Sequence, residues 1–284
     1  MLGMITNGVF LIVCSILRWQ FIKRITKTSK GGPGPLFYRA DFMRLTQVII
    51  CLCLFSSQLC SAAAFFTATY KGKYNGWNIT LERSLQEVAP GQFRLASQSS
   101  NFLGHLEEVS EFKFSNNQLI PQSYLYNRRI LGKSNSESIV FSWPTKEAFY
   151  TRTNKSADKR TLKLSSGMLD AALYQLQLQR DLALQRSDLS YTFIKRKEIK
   201  SYQFSPVGTD TFTLNGTQQK AMIVERIENS SKKTRIWLLP DLNWQIARIQ
   251  HKEESGDTYI IDLSHYTGDS VLMNTFYQAA PSQK

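Results

Sequence analysis

Three histidines, His105, His251 and His265, are the chain's only imidazoles. No two of them stand in an HxH or HxxxH spacing. No acidic residue joins them in a compact ligand motif, so zinc chemistry is not indicated. His265 falls on the apolar side of an alternating stretch and reads as a hydrogen-bonded packing residue. His251 lies at a charged strand end and reads as surface. Serine catalysis on a strained elbow would need GxSxG, and phosphate or dinucleotide cradling would need a Walker loop or GxGxxG; none of these motifs occurs. Two acidic clusters remain, Glu107-Glu108-Glu111 and Glu253-Glu254-Asp257. Glycoside hydrolysis requires a pair of carboxyls, one of them buried and raised in pKa. These clusters sit beside turns or in mixed-charge strands, where exposure is expected. The sequence therefore points to no catalytic residue, no cofactor and no metal ligand, and it singles out no ligand-binding residue.

The strongest basic cluster is Lys195-Arg196-Lys197-Glu198-Ile199-Lys200. On a strand, alternate residues face opposite ways, so it cannot all point to one side. A solvated edge strand, where lysines block aggregation, is one reading. Contact with an anionic lipid head group is the other. The sequon Asn215-Gly216-Thr217 matters only in a eukaryotic secretory pathway.

The cysteines are confined to the front: Cys14, Cys51, Cys53 and Cys60, in a chain of 284 residues. That excludes a disulfide scaffold, a zinc ribbon or a cysteine nucleophile in the main domain. Residues 43–64 run from Arg44 through the apolar stretch Val48–Phe55 to small residues, the order of a secretory signal peptide. Ala62 and Ala64 suit the −3 and −1 subsites, which places cleavage before Phe65, with cleavage after Ala62 as the alternative. Cys60 follows Leu59, where a lipoprotein signal wants a small residue. Residues 1–42 read as an upstream start extension. The competing reading is a membrane and cytoplasmic lead-in: residues 1–17 carry no charged side chain, and basic residues up to Arg44 would hold the following loop inside. Residues 65–284 then form a single exported β-rich domain. Its location is the periplasm, or the periplasmic side of the inner membrane if the segment is not cleaved. In that uncleaved form the N-terminal segment is itself a membrane contact.

The whole chain has a formal net charge of +13. Residues 1–64 hold seven basic side chains and one acid, so the exported part falls to +7. Export argues against nucleic acid as a partner. A lipid or anionic envelope component, such as phospholipid head groups or acidic glycans, fits the sign better.

The elements that must position any site are mostly strands. Trp77, Ile79, Leu81 and Leu85 alternate with polar residues, as do Tyr259, Ile261 and Leu263. Such alternation marks half-buried antiparallel strands. Pro90-Gly91, Asn116-Asn117, Asn215-Gly216, Asn229-Ser230-Ser231 and Ser255-Gly256-Asp257 mark turns between them. Residues 165–183 break the pattern. Leu169, Ala172, Leu173 and Leu176 form one apolar stripe, and Tyr174, Leu178 and Leu182 a second. A helix apolar on two faces is buried on two sides. Ser165 or Ser166 would cap it, and Asp170 would lie near its positive end. The fold class expected is mainly β: a long antiparallel meander forming a curved sheet or incomplete barrel, with one substantial helix packed on it.

Several short patterns, in order, resemble the bacterial exported domain-of-unknown-function family numbered 3108. They are Leu119-Ile120-Pro121-Gln122-Ser123-Tyr124; Phe141-Ser142-Trp143, with Ser142 in place of the usual acid; Gly167-Met168-Leu169-Asp170 followed by Gln177–Leu182; and Ile236–Leu242 with Arg248-Ile249. Ile246-Ala247 stands where the family has proline-valine. The resemblance covers about residues 65–267. It implies an exported bacterial β protein with a curved sheet, and it carries over no catalytic residue. The shape is similar to the half-barrels of lipoprotein carriers, a likeness of fold alone. The expected function is non-enzymatic binding of an amphipathic or anionic envelope ligand in the curved sheet. The alternative is a structural or assembly factor contacting other envelope proteins, and the least favoured is a glycan hydrolase.

Overall fold

The computed structural model describes residues 63–74, 77–101, 104–153 and 158–278. The signal segment and the stretch before it lie outside the described residues. The first half of the domain is a run of antiparallel strands: β1 Ala63–Tyr74, β2 Trp77–Ala89, β3 Gln92–Asn101, β4 Gly104–Ser115, β5 Gln118–Ile130, β6 Lys133–Ser142, β7 Glu147–Thr153 and β8 Asp158–Lys163. The chain then leaves the sheet, forms the two-residue strand β9 (Leu169–Asp170) and the helix α1 (Leu173–Ala183), and returns. The second half is β10 Ser190–Lys195, β11 Glu198–Leu214, β12 Thr217–Arg226, β13 Lys233–Leu239, β14 Gln245–Lys252 and β15 Thr258–Gly268, followed by helix α2 (Ser270–Tyr277).

All fifteen described strands belong to one sheet, in the order β8 to β1, then β15 to β9. Each hairpin pairs with its neighbour, and β1 pairs with β15 along Phe66↔Gly268 to Lys73↔Ile260. The beginning and the end of the domain therefore meet mid-sheet, and the two edges, β8 and β9, fall mid-sequence. Every turn signal read from the sequence lies between two strands. Asn116, Asn117, Asn215 and Gly216 adopt the positive φ for which such residues are suited.

The sheet rolls until its two ends approach. Asp170 of β9 lies on the inner side of β4, where its Oδ2 accepts from Ser110 Oγ at 2.5 Å. At the other edge, Lys197 Nζ donates to Asp158 Oδ2 at 2.8 Å, joining the β10–β11 turn to the start of β8. The expected incomplete barrel is the fold observed.

Helix α1 fills the roll. Leu173, Leu176 and Leu178 are fully buried, and Leu169, Ala172 and Leu182 nearly so. Two aromatic groups complete the packing. Tyr174 stacks on Phe193 at 4.6 Å, and Phe193 meets Tyr202 at 4.8 Å. At the end closed by α2, Phe276 packs against Phe65, Phe93 and Phe114 at 5.7, 5.2 and 4.9 Å. Such ring contacts add to the area they bury.

The helix differs from expectation at its start. The expected span 165–183 begins instead at Leu173. Gly167 has φ +74, and Met168 N donates to Ser165 O at 3.2 Å, so Ser165–Met168 is a turn and neither serine caps the helix. Asp170 takes that role: its Oδ1 accepts from Ala172 N and Leu173 N, both at 2.9 Å. Helix α2, which the sequence pattern did not separate from the tail, is capped in the same way. Asp269 Oδ1 accepts from Val271 N at 2.9 Å and Leu272 N at 3.0 Å.

Candidate functional site: a buried polar belt around the central helix

Strand register brings together residues that are far apart in sequence. On the inner face, Arg83 of β2 stands opposite Ser97 of β3, Ser97 opposite Glu108 of β4, and Glu108 opposite Tyr126 of β5. The same rung continues to Glu137, Arg152 and Asp158. Directly paired residues share a face, so these side chains form one polar belt across seven strands of rolled sheet, β2 to β8. Arg83, Ser97, Glu108 and Glu137 are buried. The ion pair Lys197–Asp158 carries the belt over the gap between the sheet edges.

The belt holds α1 from below. Arg83 Nη1 donates to Gln175 Oε1 at 2.5 Å, and Nη2 reaches Ala172 O at 3.4 Å. Tyr124 Oη donates to Glu108 Oε1 at 2.5 Å. Farther along the helix, Gln179 Nε2 donates to Trp244 O and Gln245 Oε1, and Gln245 Nε2 donates to Tyr70 Oη. The helix is thus tied directly to β2 and the β13–β14 corner, to β1 through Gln245, and to β4 through its capping residue Asp170.

Burial decides the protonation of this cluster. It pushes the Glu108 carboxyl up to about 7, against the opposing effects of the Tyr124 hydrogen bond and the Arg83 and Lys195 charges. It pushes Asp170 up to about 6, although Ser110 and two backbone N–H groups favour its charged form. Lys195 is drawn down to about 8, again mainly by desolvation. Three groups therefore titrate near neutrality around the start of α1, each because a charge there loses its water.

Arg180 is a separate feature of the helix. It is fully buried. Its Nη1 donates to Asn117 O at 3.2 Å, and its guanidinium lies 5.1 Å from the Phe114 ring centre. Among the described residues, its Nε and Nη2 have no hydrogen-bond partner. The neighbouring Asp181 is turned to Arg186 at 3.0 Å and Gln177 at 2.8 Å. Burial holds the Arg180 pKa below its ordinary value.

The residues singled out from sequence are dispersed. Among the described residues, no group of three or more His, Cys, Asp or Glu side chains could hold a metal ion. His265 is exposed, with Nε2 3.4 Å from Thr267 Oγ1, so it is not the packing residue expected. The β1–β15 register shifts between Leu263 and His265, which breaks the alternation that suggested burial. His251 is half-buried rather than free surface, 2.9 Å from Thr234 Oγ1 and 3.2 Å from Glu253. His105 Nδ1 lies 2.7 Å from Ser100 Oγ. Of the acidic clusters, Glu253-Glu254-Asp257 stays at the β14–β15 turn as expected. The first cluster does not: Glu107 and Glu108 are buried on opposite faces of β4, with Asn127 and Tyr124 as partners, and only Glu111 is exposed. The basic run is not one edge strand. Arg196 and Lys197 form the turn between β10 and β11. Ser142 sits at the β6–β7 turn, its Oγ accepting from Thr145 Oγ1 at 2.8 Å. A groove of about 580 Å³ lies on the β11–β12 hairpin, but Thr209, Asp210, Thr211, Gln218, Gln219 and Lys220 make it polar, unlike the apolar chamber expected for acyl chains.

Fold and belt together define a class: a rolled antiparallel sheet closed around its own buried helix. The chain belongs to the family described as "Protein of unknown function (DUF3108)", whose model matches residues 69–264. The matched stretch contains α1 and the whole belt, and leaves out α2. Among solved structures, the chain is similar to a beta-barrel-like protein of domain of unknown function DUF1849 from Brucella abortus. The two share 7% identity at a TM-score of 0.45, over 72% of this chain and 98% of that one. No match is found among curated proteins.

Proposed function

We propose that this is an exported, non-enzymatic envelope protein that acts as a structural or assembly factor, meeting other envelope components through its outer surface. The observation that carries the reading is the filled interior: Leu176 and Leu178 lie on different sides of α1 and both are fully buried. A sheet whose concavity is occupied by its own helix meets partners from outside. Strand β8 offers an edge, since among the described strands β7 alone pairs with it. Beside it, Val140 and Phe149 pair across β6 and β7 and expose 54% and 41% of their surface. A non-enzymatic role is supported by the belt's own bonding. The lone pairs of Asp170 and Glu108 face α1, Ser110 and Tyr124, whereas a general acid or base must face a substrate.

Export is supported by the order of residues 43–64. Cleavage after either Ala62 or Ala64 keeps Phe65 and Phe66, both buried, in β1. In the tethered form the anchor is the apolar stretch from Leu45; among the described residues no helix is long and apolar enough to cross a membrane. N-terminal sequencing of protein purified from its own envelope is expected to begin at Phe65 or Ala63. An intact N-terminus would replace the cleaved form by the tethered one, and recovery of the chain from cytosol alone would remove the export reading. A photo-cross-linker placed at Phe149 is expected to capture an envelope protein.

A ligand-binding reading keeps one observation in its favour. Buried donors without acceptors suit an anionic group, and Arg180 Nε and Nη2 are such donors. Stoichiometric co-purification of a lipid or oxyanion that is lost in Arg180→Gln would bring that reading forward.

A further inference from the structure

Antiparallel order places the β5–β6, β10–β11 and β12–β13 turns and the start of β8 at one end of the barrel, opposite the end closed by α2. The large apolar side chains there are unusually bare. Leu131 is 75% exposed, Ile227 53%, Ile199 44% and Ile130 43%. Basic residues surround the β5–β6 turn, the β10–β11 turn and the start of β8: Arg129, Lys133, Lys159, Arg160, Lys197 and Lys200 are all exposed. The adjoining acids Asp158 and Glu198 are already paired with Lys197 and Lys200, and the acidic β14–β15 turn, Glu253-Glu254-Asp257, shares this end but lies mid-sheet, several strands away from the ends of β8 and β10. The turns lie close together, since Tyr126 feels the charges of both Arg128 and Arg196.

Leu131 adds an independent observation. It adopts φ +48 in the two-residue turn Leu131-Gly132. Asn is the favoured residue at such a position, and a left-handed conformation is unfavourable for Leu. Neither burial nor turn chemistry accounts for a leucine at this place. Strain of this kind, together with an exposed apolar tip and a basic rim, is the pattern of a surface that enters a lipid interface.

We propose that this end of the barrel docks onto an anionic phospholipid surface, with Leu131 and its apolar neighbours entering the head-group region and the basic rim pairing with phosphates. The inference builds on the envelope location proposed above by naming a surface the protein would rest on there. It commits to lipid because charge and bare apolar tips coincide at the turns.

The test is binding of the full chain to vesicles of phosphatidylglycerol and of phosphatidylcholine. The readout is the ratio of the two affinities, because an apolar N-terminal segment contributes to both. Each basic residue at an anionic surface is worth about fivefold. The triple variant Arg129→Gln/Lys133→Gln/Lys159→Gln is therefore expected to lower the ratio on the order of a hundredfold. Among the described residues none of the three is in a side-chain ion pair, and an unchanged melting curve would verify folding. Leu131→Asn is expected to raise the melting midpoint by about 2 °C by relieving the turn, while weakening vesicle binding several-fold. A wild-type ratio near one, an unaltered ratio in the triple variant, or full vesicle affinity in Leu131→Asn would overturn the proposal. Retention on polyglutamate beads without vesicle binding would also overturn it, in favour of an acidic protein partner. Cell fractionation reads the location separately, so failure of one leaves the other measurement standing.

Discussion

Glu108→Gln raises the stability of the folded protein at pH 8 by about 3 kcal/mol and leaves it nearly unchanged at pH 4. Glu108 is 5% exposed, and burial pushes its carboxyl from 4.5 up to about 7. An acid whose pKa is raised by folding binds its proton more tightly in the folded chain than in the unfolded one. Its stabilising effect is complete below the unfolded value and is lost as pH rises through the folded one. The window is thus about pH 4.5 to 7, and each tenfold gain in proton affinity on folding is worth about 1.4 kcal/mol. The groups facing Glu108 are Tyr124, Tyr126, Asp170, Arg83 and Lys195. Asp170, raised to about 6, contributes a decline of the same sign, which remains in the variant. Lys195, lowered to about 8, is charged in both states below that pH, so its cost is constant over the window. Glutamine keeps an oxygen to accept from Tyr124 Oη. Urea unfolding of both proteins at pH 4 and pH 8 measures the effect. Parallel profiles would show that Glu108 is hydrated in the folded state, and the belt would not be a buried network.

Much of the fold is legible in the sequence because it rests on local chemistry. Turn residues such as Asn215-Gly216 mark positive φ wherever they occur, and period-two alternation places Leu81 and Leu85 inside. The two stripes of α1 announce a helix buried on both sides. Its start is not legible in the same way, because Ser165 and Ser166 look like caps. The deciding facts are the positive φ at Gly167 and a capping aspartate a few residues farther on. Asp269 followed by Val271, Leu272 and Met273 is a readable cap for α2, hidden only by its place in a short tail. The belt needs more than local chemistry. Arg83 interrupts the apolar face Leu81-x-Arg83-x-Leu85, and Glu108 sits in a cluster that looks solvated. Each signals little alone. Only the register that puts Arg83, Ser97, Glu108 and Tyr126 on one rung makes them a site, and register depends on pairing across the whole sheet. The end-to-end closure of β1 on β15 is hidden for the same reason, since it joins residues about 200 apart.

Leu176→Ala and Leu178→Ala are each expected to lower stability by about 3 kcal/mol, and their near-equality matters more than the size. Leucine-to-alanine changes in a packed core cost about 2 to 5 kcal/mol, more where the surroundings cannot collapse into the space. Residues two apart on a helix point in different directions, so the pair samples two sides of α1. A chamber for an acyl chain would leave one of those sides facing a hollow. The leucine on that side would then lose few contacts on truncation and cost under about 1 kcal/mol. A helix enclosed by its own sheet has no such side. Both side chains are 0% exposed, and the sheet beyond them curls through β9 and the Lys197–Asp158 contact. Chemical denaturation of the two variants therefore separates the functional readings as well as testing the packing. Two large, similar losses fit a solid scaffold that works through its exterior. One large and one small loss would locate a ligand cavity, and would return the curved sheet to the role of a container.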